Sequence, residues 1–246
     1  MTSISVVIPA LNEAPTVAAV VAAVLADSPD EVIVIDADST DDTAGNARRA
    51  GATVRNWREI LPAVPTQPGK GESLWRGVEA ATGDIVVFVD ADLTSMRPGM
   101  IRALVEPFSD PGIHMVRADY VRTFGDKPTG GGRVTELTAK PLLRLLFPDL
   151  AHIRQPLGGE YAIRRSTARA LPFVAGYGVE AGLLIDVALR HGVDSIAQVD
   201  LGQRCHHHQP LSALGDMADV VAATILERSG RDVQIVQRDP LDSLAC

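Results

Sequence analysis

Cysteine is scarce in this sequence, and its scarcity excludes a fold held together by disulfides. Only two of the 246 residues, Cys205 and Cys246, are cysteine. Secreted domains stabilised by disulfides carry several cysteines in a much shorter chain, whereas proteins of a reducing compartment carry few. We therefore expect a protein that folds on its hydrophobic core and works in the cytoplasm.

Long apolar runs are missing as well. No stretch approaches the roughly 20 apolar residues that cross a bilayer, so we expect no membrane association. The chain enters a strand-like apolar run at residues 3–9, and we expect no signal peptide.

Positive charge is the third shortage. The 23 lysines and arginines are outnumbered by 31 aspartates and glutamates, which gives a formal net charge of −8. This balance argues against nonspecific binding of nucleic acid. A protein of this charge that handles anionic ligands must concentrate its cationic side chains at the site or recruit a metal ion.

The first 125 residues show a regular alternation of strand-like and helix-like segments. The strand-like runs are short, β-branched and apolar, which is typical of strands buried on both faces of a parallel sheet. The alternation predicts an α/β fold with a doubly wound, mostly parallel sheet flanked by helices. Strands are predicted at residues 3–9, 31–35, 53–55, 85–89 and 114–120, and helices at 16–25, 43–50, 71–81 and 100–108.

After residue 125 the alternation is lost. The second half is interpreted as an extension of the same domain, residues 126–229, followed by a loose C-terminal tail, residues 230–246. An amphipathic segment is predicted at 134–147, helices at 178–191 and 211–228, and a strand near 195–201.

Two carboxylates mark the end of the strand at residues 85–89. Asp90-Ala91-Asp92 directly follows that strand, at the carboxyl edge where open α/β sheets bind their ligands. Carboxylates one residue apart suit a hard divalent cation that bridges the protein to the phosphates of a nucleotide. The alternative is a turn whose aspartates only cap the following helix.

Similar motifs follow the first two strands, PALNE at residues 9–13 and DADSTD at 36–41. In order and spacing, the three motifs resemble the nucleotide-sugar-binding half of the GT-A glycosyltransferases, where the carboxylate pair is called the DxD motif. Later segments narrow the resemblance to the family of the glucosyl-3-phosphoglycerate synthases. These segments are PGKGE at 68–72, GGGRVTEL at 130–137, QPLGGEY at 155–161 and GYGVE at 176–180.

The resemblance implies an enzyme that transfers glucose from UDP-glucose to the 2-hydroxyl of 3-phosphoglycerate, with retention at the anomeric carbon. It implies Mg²⁺ or Mn²⁺ as the cofactor and a homodimer. Residues 1–125 then form the nucleotide-sugar-binding half and residues 126–229 the acceptor-binding half. Three alternatives stay open: a mannosyl-3-phosphoglycerate synthase that uses GDP-mannose, a polyprenyl-phosphate glycosyltransferase, and a non-catalytic nucleotide-sugar sensor.

The resemblance also assigns the metal ligands. Asp92 is expected to provide most of the coordination, with Asp90 nearer to the ribose or the sugar and His206 as the third ligand. Imidazole is accepted by Mn²⁺ and is less favoured by Mg²⁺. The alternative for His206 is a solvated turn, since three consecutive histidines make a polar run.

Lys70 is the expected cation for the diphosphate. Its flanking glycines, Gly69 and Gly71, let the backbone approach a ligand closely, although the spacing of a P-loop is absent. The alternative is an exposed loop lysine.

The glycines at 130–132 predict a site for the phosphate of the acceptor. A helix that begins there offers unpaired N–H groups and a favourable dipole, and Arg133 adds a donor of two hydrogen bonds. The alternative is a flexible hinge. The acceptor is expected to contact Gly132, Arg133, Val134, Thr135, Arg204 and His208.

The nucleotide sugar is expected to bind at the strand ends and at the start of the helix at 178–191. Many relatives carry Asp-Ser-Gly-Ser-Thr at the loop that begins at Asp36, whereas this chain has Ala37 and Asp38, which leaves the choice between UDP and GDP open. The donor residues are Pro9, Ala10, Leu11, Glu13, Asp36, Asp38, Lys70, Ala91 and Glu180. Lys70, Asp92 and Arg133 are expected to act in catalysis.

Overall fold

The computed structural model describes residues 2–123, 132–205, 211–231 and 236–243. The strands are β1 (Ile4–Ala10), β2 (Glu31–Asp36), β3 (Thr53–Asn56), β4 (Ile85–Phe88), β5 (Met115–Thr123), β6 (Tyr161–Arg164), β7 (Phe173–Val174), β8 (Ile196–Cys205) and β9 (Gln237–Arg238). The α-helices are α1 (Val17–Leu25), α2 (Thr43–Arg49), α3 (Lys70–Ala80), α4 (Met100–Val105), α5 (Lys140–Leu146), α6 (Arg165–Arg169), α7 (Val179–His191) and α8 (Leu211–Arg228). Among the described residues, no helix is both long and apolar enough to cross a bilayer.

The central sheet is mostly parallel, as predicted. Its seven strands lie in the order β3-β2-β1-β4-β6-β5-β8. Only β6 runs against its neighbours, β4 and β5, while the other pairs in this sheet are parallel. Because β6 is antiparallel, its first residue, Tyr161, pairs with Phe88 at the end of β4. The residues before Tyr161 therefore reach the same edge as the carboxyl ends of the parallel strands.

Helices cover both faces of this sheet. Alternate residues of each strand point to opposite sides, so Val6 and Ile8 of β1 join one apolar cluster and Val7 joins the other. Helices α1, α2 and α4 contribute to the first cluster, and α3, α7 and α8 to the second. Each fully buried aliphatic side chain stabilises the fold by about 1.5–3 kcal/mol. The apolar runs of the sequence therefore need both helical layers.

The predicted elements begin within one residue of their predicted starts, and the differences lie mainly at their ends. The helix predicted at 100–108 stops at Val105 and continues as the 3₁₀ turn Glu106–Ser109. Pro107 accounts for this, since it has no N–H for an α-helical hydrogen bond. The amphipathic segment starts with the π-helical turn Thr135–Ala139 before α5. Strand β6 was not predicted, because it is antiparallel and lies after the strand–helix alternation of the first 125 residues.

The expectation of a loose tail is wrong for residues 236–243, which we call the C-terminal segment. Its strand β9 pairs with β7, and Leu241 is buried. The indole nitrogen of Trp75 donates a hydrogen bond of 3.2 Å to the carbonyl of Asp239. Apart from Leu241, which packs in the hydrophobic core, the segment is mainly polar and is held by ion pairs and hydrogen bonds. The sequence therefore offered no apolar pattern that predicts its position.

Two histidines stack at the opposite edge of the sheet from the predicted ligand edge. The rings of His114, before β5, and His191, at the end of α7, lie 3.7 Å apart at an angle of 13°. The Nδ1 atom of His114 lies 2.8 Å from the hydroxyl of Thr167. Burial lowers the pKa of both rings, and His191 and Arg164 lower that of His114 further.

We predict that this pair makes the fold less stable in mild acid. The pKa of each ring is lower in the folded chain than in the unfolded chain, where it is about 6.5. The unfolded state therefore binds more protons below that pH, and the free energy of unfolding falls as the pH drops through 6.5. Urea unfolding at pH 7.5 and pH 5.5 measures the loss. The variant His191→Gln should show a smaller loss, and an unchanged loss would contradict the role of the pair.

Candidate active site

The carboxyl ends of β1, β2 and β4 open into a cavity of about 450 Å³. Its other walls come from the start of α3, the start of α7 and the side of α8. The lining residues are Pro9, Ala10, Leu11, Glu13, Ala37, Trp57, Gly69, Lys70, Ser73, Asp90, Ala91, Asp92, Leu157, Tyr177, Glu180 and Met217. Most residues predicted to bind the nucleotide sugar thus share one cavity.

Lys70 lies between two carboxylates. Its Nζ is 2.5 Å from Oδ1 of Asp90 and 2.7 Å from Oε1 of Glu180. Burial opposes the charge of the amine, but the two carboxylates outweigh it and raise the pKa of Lys70 well above its usual range. Lys70 is the first residue of α3 and follows Gly69, whose φ of +117° favours glycine. The amine of Lys70 therefore stays charged at the N-terminus of α3.

Asp90 contacts a second cation from behind the cavity. Arg204, near the end of β8, lies 3.1 Å from Oδ2 of Asp90 and 2.5 Å from Oε2 of Glu160. Burial opposes the ionisation of Asp90, yet Lys70 and Arg204 hold its pKa far below the usual range. The five side chains form a chain of alternating charge: Glu180, Lys70, Asp90, Arg204 and Glu160.

Asp92 differs from Asp90 in having no such partner. Its side chain is exposed to the cavity, and among the described residues it makes no ion pair or side-chain hydrogen bond. Desolvation and the neighbouring Asp90 raise the pKa of Asp92. Desolvation, with Asp92 as the next cause, also raises the pKa of Glu13. Among the described residues, no cation forms an ion pair with Asp92 or Glu13 at this end of the cavity.

The carboxylate of Asp92 fits a hard divalent cation. The oxygens of Asp92 are the ligand type that Mg²⁺ and Mn²⁺ prefer. No cluster of three or more histidine, cysteine, aspartate or glutamate side chains with metal-binding geometry occurs within residues 2–123, 132–205, 211–231 and 236–243. The predicted third ligand, His206, lies outside the described residues, as does His208.

The described residues that were predicted to bind the acceptor lie outside the lining of this cavity. Gly132 has a φ of +73° and precedes the helical stretch that begins at Arg133. Val134 packs in the hydrophobic core and Thr135 is buried, so Val134 has only its backbone to offer a ligand. Arg204, also predicted to bind the acceptor, is engaged with Asp90 and Glu160 as described above. These roles stay predictions.

Asp36 and Asp38 also lie outside the lining. Asp36 is buried and accepts a hydrogen bond of 3.3 Å from the N–H of Ser39. Asp38 accepts hydrogen bonds from Arg58, at 2.6 Å, and from Asn56, at 3.0 Å. Both carboxylates are thus occupied by protein groups. Their neighbour Ala37 lines the cavity instead.

Several lining residues were not predicted. Gly69, Leu157 and Tyr177 belong to motifs that carried the resemblance, so a signal for them existed. Trp57 and Met217 had no such sequence signal, because Trp57 reaches the cavity from a 3₁₀ turn after β3 and Met217 reaches it from α8. Neither segment has a ligand-binding pattern of its own.

Comparison with protein-family models matches residues 5–173 to the family described as glycosyl transferase family 2. The chain is 50% identical, over 239 residues, to the glucosyl-3-phosphoglycerate synthase of Mycolicibacterium paratuberculosis, which covers 93% of this chain and 73% of that protein. It is 46% identical, over 204 residues, to the synthase of Petrotoga mobilis, which covers 81% of this chain and 63% of that protein.

Solved structures resemble the chain over nearly its whole length. The glucosyl-3-phosphoglycerate synthase of Mycobacterium tuberculosis, crystallised with Mn²⁺, UDP-glucose and phosphoglyceric acid, is similar with a TM-score of 0.91 and 43% identity, covering 99% of this chain and 91% of that chain. A crystal structure of the same enzyme with Mn²⁺, UDP and glucosyl-3-phosphoglycerate gives a TM-score of 0.90 and 43% identity, with coverage of 99% and 92%.

We predict that Gly159→Ala destabilises the site by displacing Asp90. A Cβ at this position would lie 2.5 Å from Cγ and Oδ1 of Asp90 and closer still to Oδ2. The carboxylate must then move away from Lys70 and Arg204, and such overpacking costs about 1–3 kcal/mol in the free energy of unfolding. Urea unfolding measures the change.

Gly176→Ala is the matched control. The nearest atom to its Cβ would be Cγ1 of Val220 at 3.6 Å, an ordinary contact. Its free energy of unfolding should change by no more than about 0.5 kcal/mol. Equal losses in the two variants would show that the contact of Gly159 with Asp90 is unimportant.

Proposed function

Since this chain belongs to the family of the glucosyl-3-phosphoglycerate synthases, we propose that it transfers glucose from UDP-glucose to the 2-hydroxyl of 3-phosphoglycerate. The likeness to the solved structures also confirms the predicted GT-A fold. The observation that carries the proposal is Lys70, held between Asp90 and Glu180 in the cavity that Asp92 also lines. This arrangement offers a cation for a diphosphate and acidic groups for a metal and a sugar.

Lys70 and Glu180 bind adjacent parts of the donor in this proposal, the diphosphate and the sugar. An ammonium has three N–H donors, and the contacts with Asp90 and Glu180 use two of them. The third is left for an oxygen of the diphosphate. Glu180 holds Lys70 through Oε1, which leaves Oε2 to accept a hydrogen bond from a hydroxyl of the sugar. The backbone of residues 9–11, with Glu13 and Ala91, forms the remaining wall for the nucleoside.

Asp92, with His206 and a smaller contribution from Asp90, would hold Mg²⁺ or Mn²⁺. The crystallised Mycobacterium tuberculosis enzyme contains Mn²⁺ together with UDP-glucose. When bound, the cation supplies Lewis-acid stabilisation of the charge that develops on the departing diphosphate. Lys70 stabilises the same charge.

The acceptor would bind where the helix after Gly132 begins. The first turn of a helix offers unpaired N–H groups to a phosphate, and Arg133 adds a planar guanidinium that suits a phosphate or a carboxylate. Thr135 supplies a hydroxyl at the same turn. Arg204 and His208 would serve the second anionic group of 3-phosphoglycerate. Holding both anionic ends fixes the acceptor hydroxyl toward the anomeric carbon.

We propose transfer with retention. The bond between the anomeric carbon and the diphosphate oxygen breaks, and the bond to the acceptor oxygen forms on the same face of the sugar. The acceptor proton passes to the departing phosphate oxygen. A double displacement needs a carboxylate free to attack the sugar. Asp90 is engaged by Lys70 and Arg204, and in this proposal Asp92 holds the metal ion and Glu180 a hydroxyl of the sugar.

Three further proposals concern the setting of the enzyme. The scarcity of cysteine supports a reducing cytoplasm as its compartment. The family resemblance supports a homodimer. Residues 1–125 would bind the nucleotide sugar and residues 126–229 the acceptor, within one domain whose sheet draws strands from both parts.

We predict a donor preference that separates the rival functions. With Mn²⁺ and 3-phosphoglycerate, UDP-glucose should be turned over at least about 100-fold faster than GDP-mannose, the discrimination expected of a site that hydrogen-bonds one base. A coupled assay of nucleotide diphosphate release measures both donors, and the anomeric coupling constant of the product reports retention. Turnover of GDP-mannose alone would favour the mannosyl enzyme. Tight UDP binding without any product would favour the sensor.

We also predict that Asp92→Asn and Lys70→Ala each reduce kcat by about 10²–10³-fold, because each removes stabilisation of the leaving diphosphate. Addition of Mn²⁺ in excess should partly restore Asp92→Asn and leave Lys70→Ala unchanged. Steady-state kinetics measure both effects. Asp149→Asn, at an exposed turn away from the cavity, is the control. Wild-type turnover by either active-site variant would exclude the role proposed for that residue.

A further inference from the structure

A buried carboxylate lies two residues after Lys70 and takes no part in the proposed chemistry. Glu72 is fully buried in the first turn of α3. It pairs with two guanidinium groups, Arg76 of the same helix and Arg238 of the C-terminal segment. A buried carboxylate is retained only when charged and hydrogen-bonding partners compensate its desolvation. The partners of Glu72 therefore decide how firmly the start of α3 is held.

Arg76 compensates only part of this charge. Its Nε lies 2.7 Å from Oε1 of Glu72, but its terminal nitrogens donate to backbone carbonyls of the loop before α3. Those acceptors are the carbonyls of Trp57, Ile60, Leu61 and Val64. Within the described residues, Oε2 of Glu72 is bonded by Arg238 alone.

Arg238 makes a two-pronged contact from the far side. Its Nε lies 2.7 Å from Oε2 of Glu72, and its Nη2 lies 3.0 Å from Oε1. The same Nη2 donates to the carbonyl of Pro65, and the guanidinium lies 5.3 Å from the ring centroid of Trp75. This planar contact fits arginine and no other cationic side chain.

The main chain of the C-terminal segment holds the opposite side of the same helix start. The N–H of Ala175, just after β7, donates a hydrogen bond of 3.0 Å to the carbonyl of Val236. The carbonyl of Ala175 in turn accepts the N–H of Glu72 at 3.3 Å. A Cβ on Gly69 would lie 2.5 Å from that carbonyl oxygen, so the two backbones are in close contact. The C-terminal segment thus contacts the start of α3 directly, through the side chain of Arg238, and indirectly, through its pairing with β7.

We propose that Arg238 is a positioning residue for Lys70. By pairing with Glu72 it fixes the first turn of α3, and with it the lysine that faces Asp90 and Glu180. Arg238 itself contacts no substrate. The proposal rests on the proposed function only in using UDP as the ligand that reports the position of Lys70.

The test compares two variants that each remove one ion pair of the C-terminal segment. Arg238→Gln removes the contact with Glu72. Arg169→Gln is the matched control, because Arg169 ties Asp242 of the same segment to Glu79 at the other end of α3. With Mn²⁺ present, titration calorimetry should show a Kd for UDP raised about tenfold in Arg238→Gln, since misplacement of a binding group by a fraction of an ångström suffices. The Kd of Arg169→Gln should stay within about twofold of wild type.

A double-variant cycle separates positioning from general loss of structure. If Arg238 acts through Lys70, then adding Arg238→Gln to Lys70→Ala should change the Kd for UDP by less than about twofold. A tenfold change in that background, or equal effects of Arg238→Gln and Arg169→Gln, would overturn the proposal. In turnover, Arg238→Gln should alter kcat or the KM for UDP-glucose and leave the KM for 3-phosphoglycerate unchanged.

Two further measurements keep the test decisive. Arg238→Lys retains a positive charge beside Glu72 and so protects folding, but lysine cannot make the two-pronged contact. This variant should raise the Kd for UDP by about threefold, a value between those of the wild type and Arg238→Gln. Hydrogen exchange of residues 69–76 should quicken in Arg238→Gln and not in Arg169→Gln, whether or not the enzyme turns over UDP-glucose. Absence of turnover in the wild type would refute the proposed function alone, whereas unchanged exchange would refute the positioning role.

Discussion

The interaction of Lys70 with Asp90 and Glu180 is the one on which the geometry of the site depends. Each of the three residues lies at the end of a different element: the start of α3, the end of β4 and the start of α7. Within the described residues, these two ion pairs join the three ends through side chains. A partly buried charge that loses its partner is costly, so a shift of one end away from the others is opposed.

The sequence predicted the parts of the site that have local signals. Asp90 and Asp92 follow an apolar strand, and Lys70 stands between two glycines before a helix, so each was found without the fold. The direction of β6, and the contact of Arg204 with Asp90 across 114 positions of sequence, have no such signal. The contacts of the C-terminal segment are equally long in range and polar. Hydrophobic periodicity reports which face is buried, not which distant charge will neutralise another.

The loop after β2 accommodates an aspartate, Asp38, that departs from the family pattern. Asp38 lies at a position where the family resemblance leads us to expect glycine, and its φ of +64° is the left-handed conformation that glycine adopts most readily. Aspartate tolerates this conformation better than most residues. Arg58 and Asn56 take up its carboxylate, so the added charge is turned toward protein groups and not into the cavity.

The long sequence separation between Glu72 and Arg238 has a consequence for the order in which parts of the structure form during synthesis. Glu72 and Arg238 are separated by 166 positions, and a ribosome adds about 5–20 residues per second. For about eight seconds or more after Glu72 has been translated, Arg76 is the only one of its two guanidinium partners that exists. The ion pair that we propose to position Lys70 therefore forms only after translation has delivered residue 238.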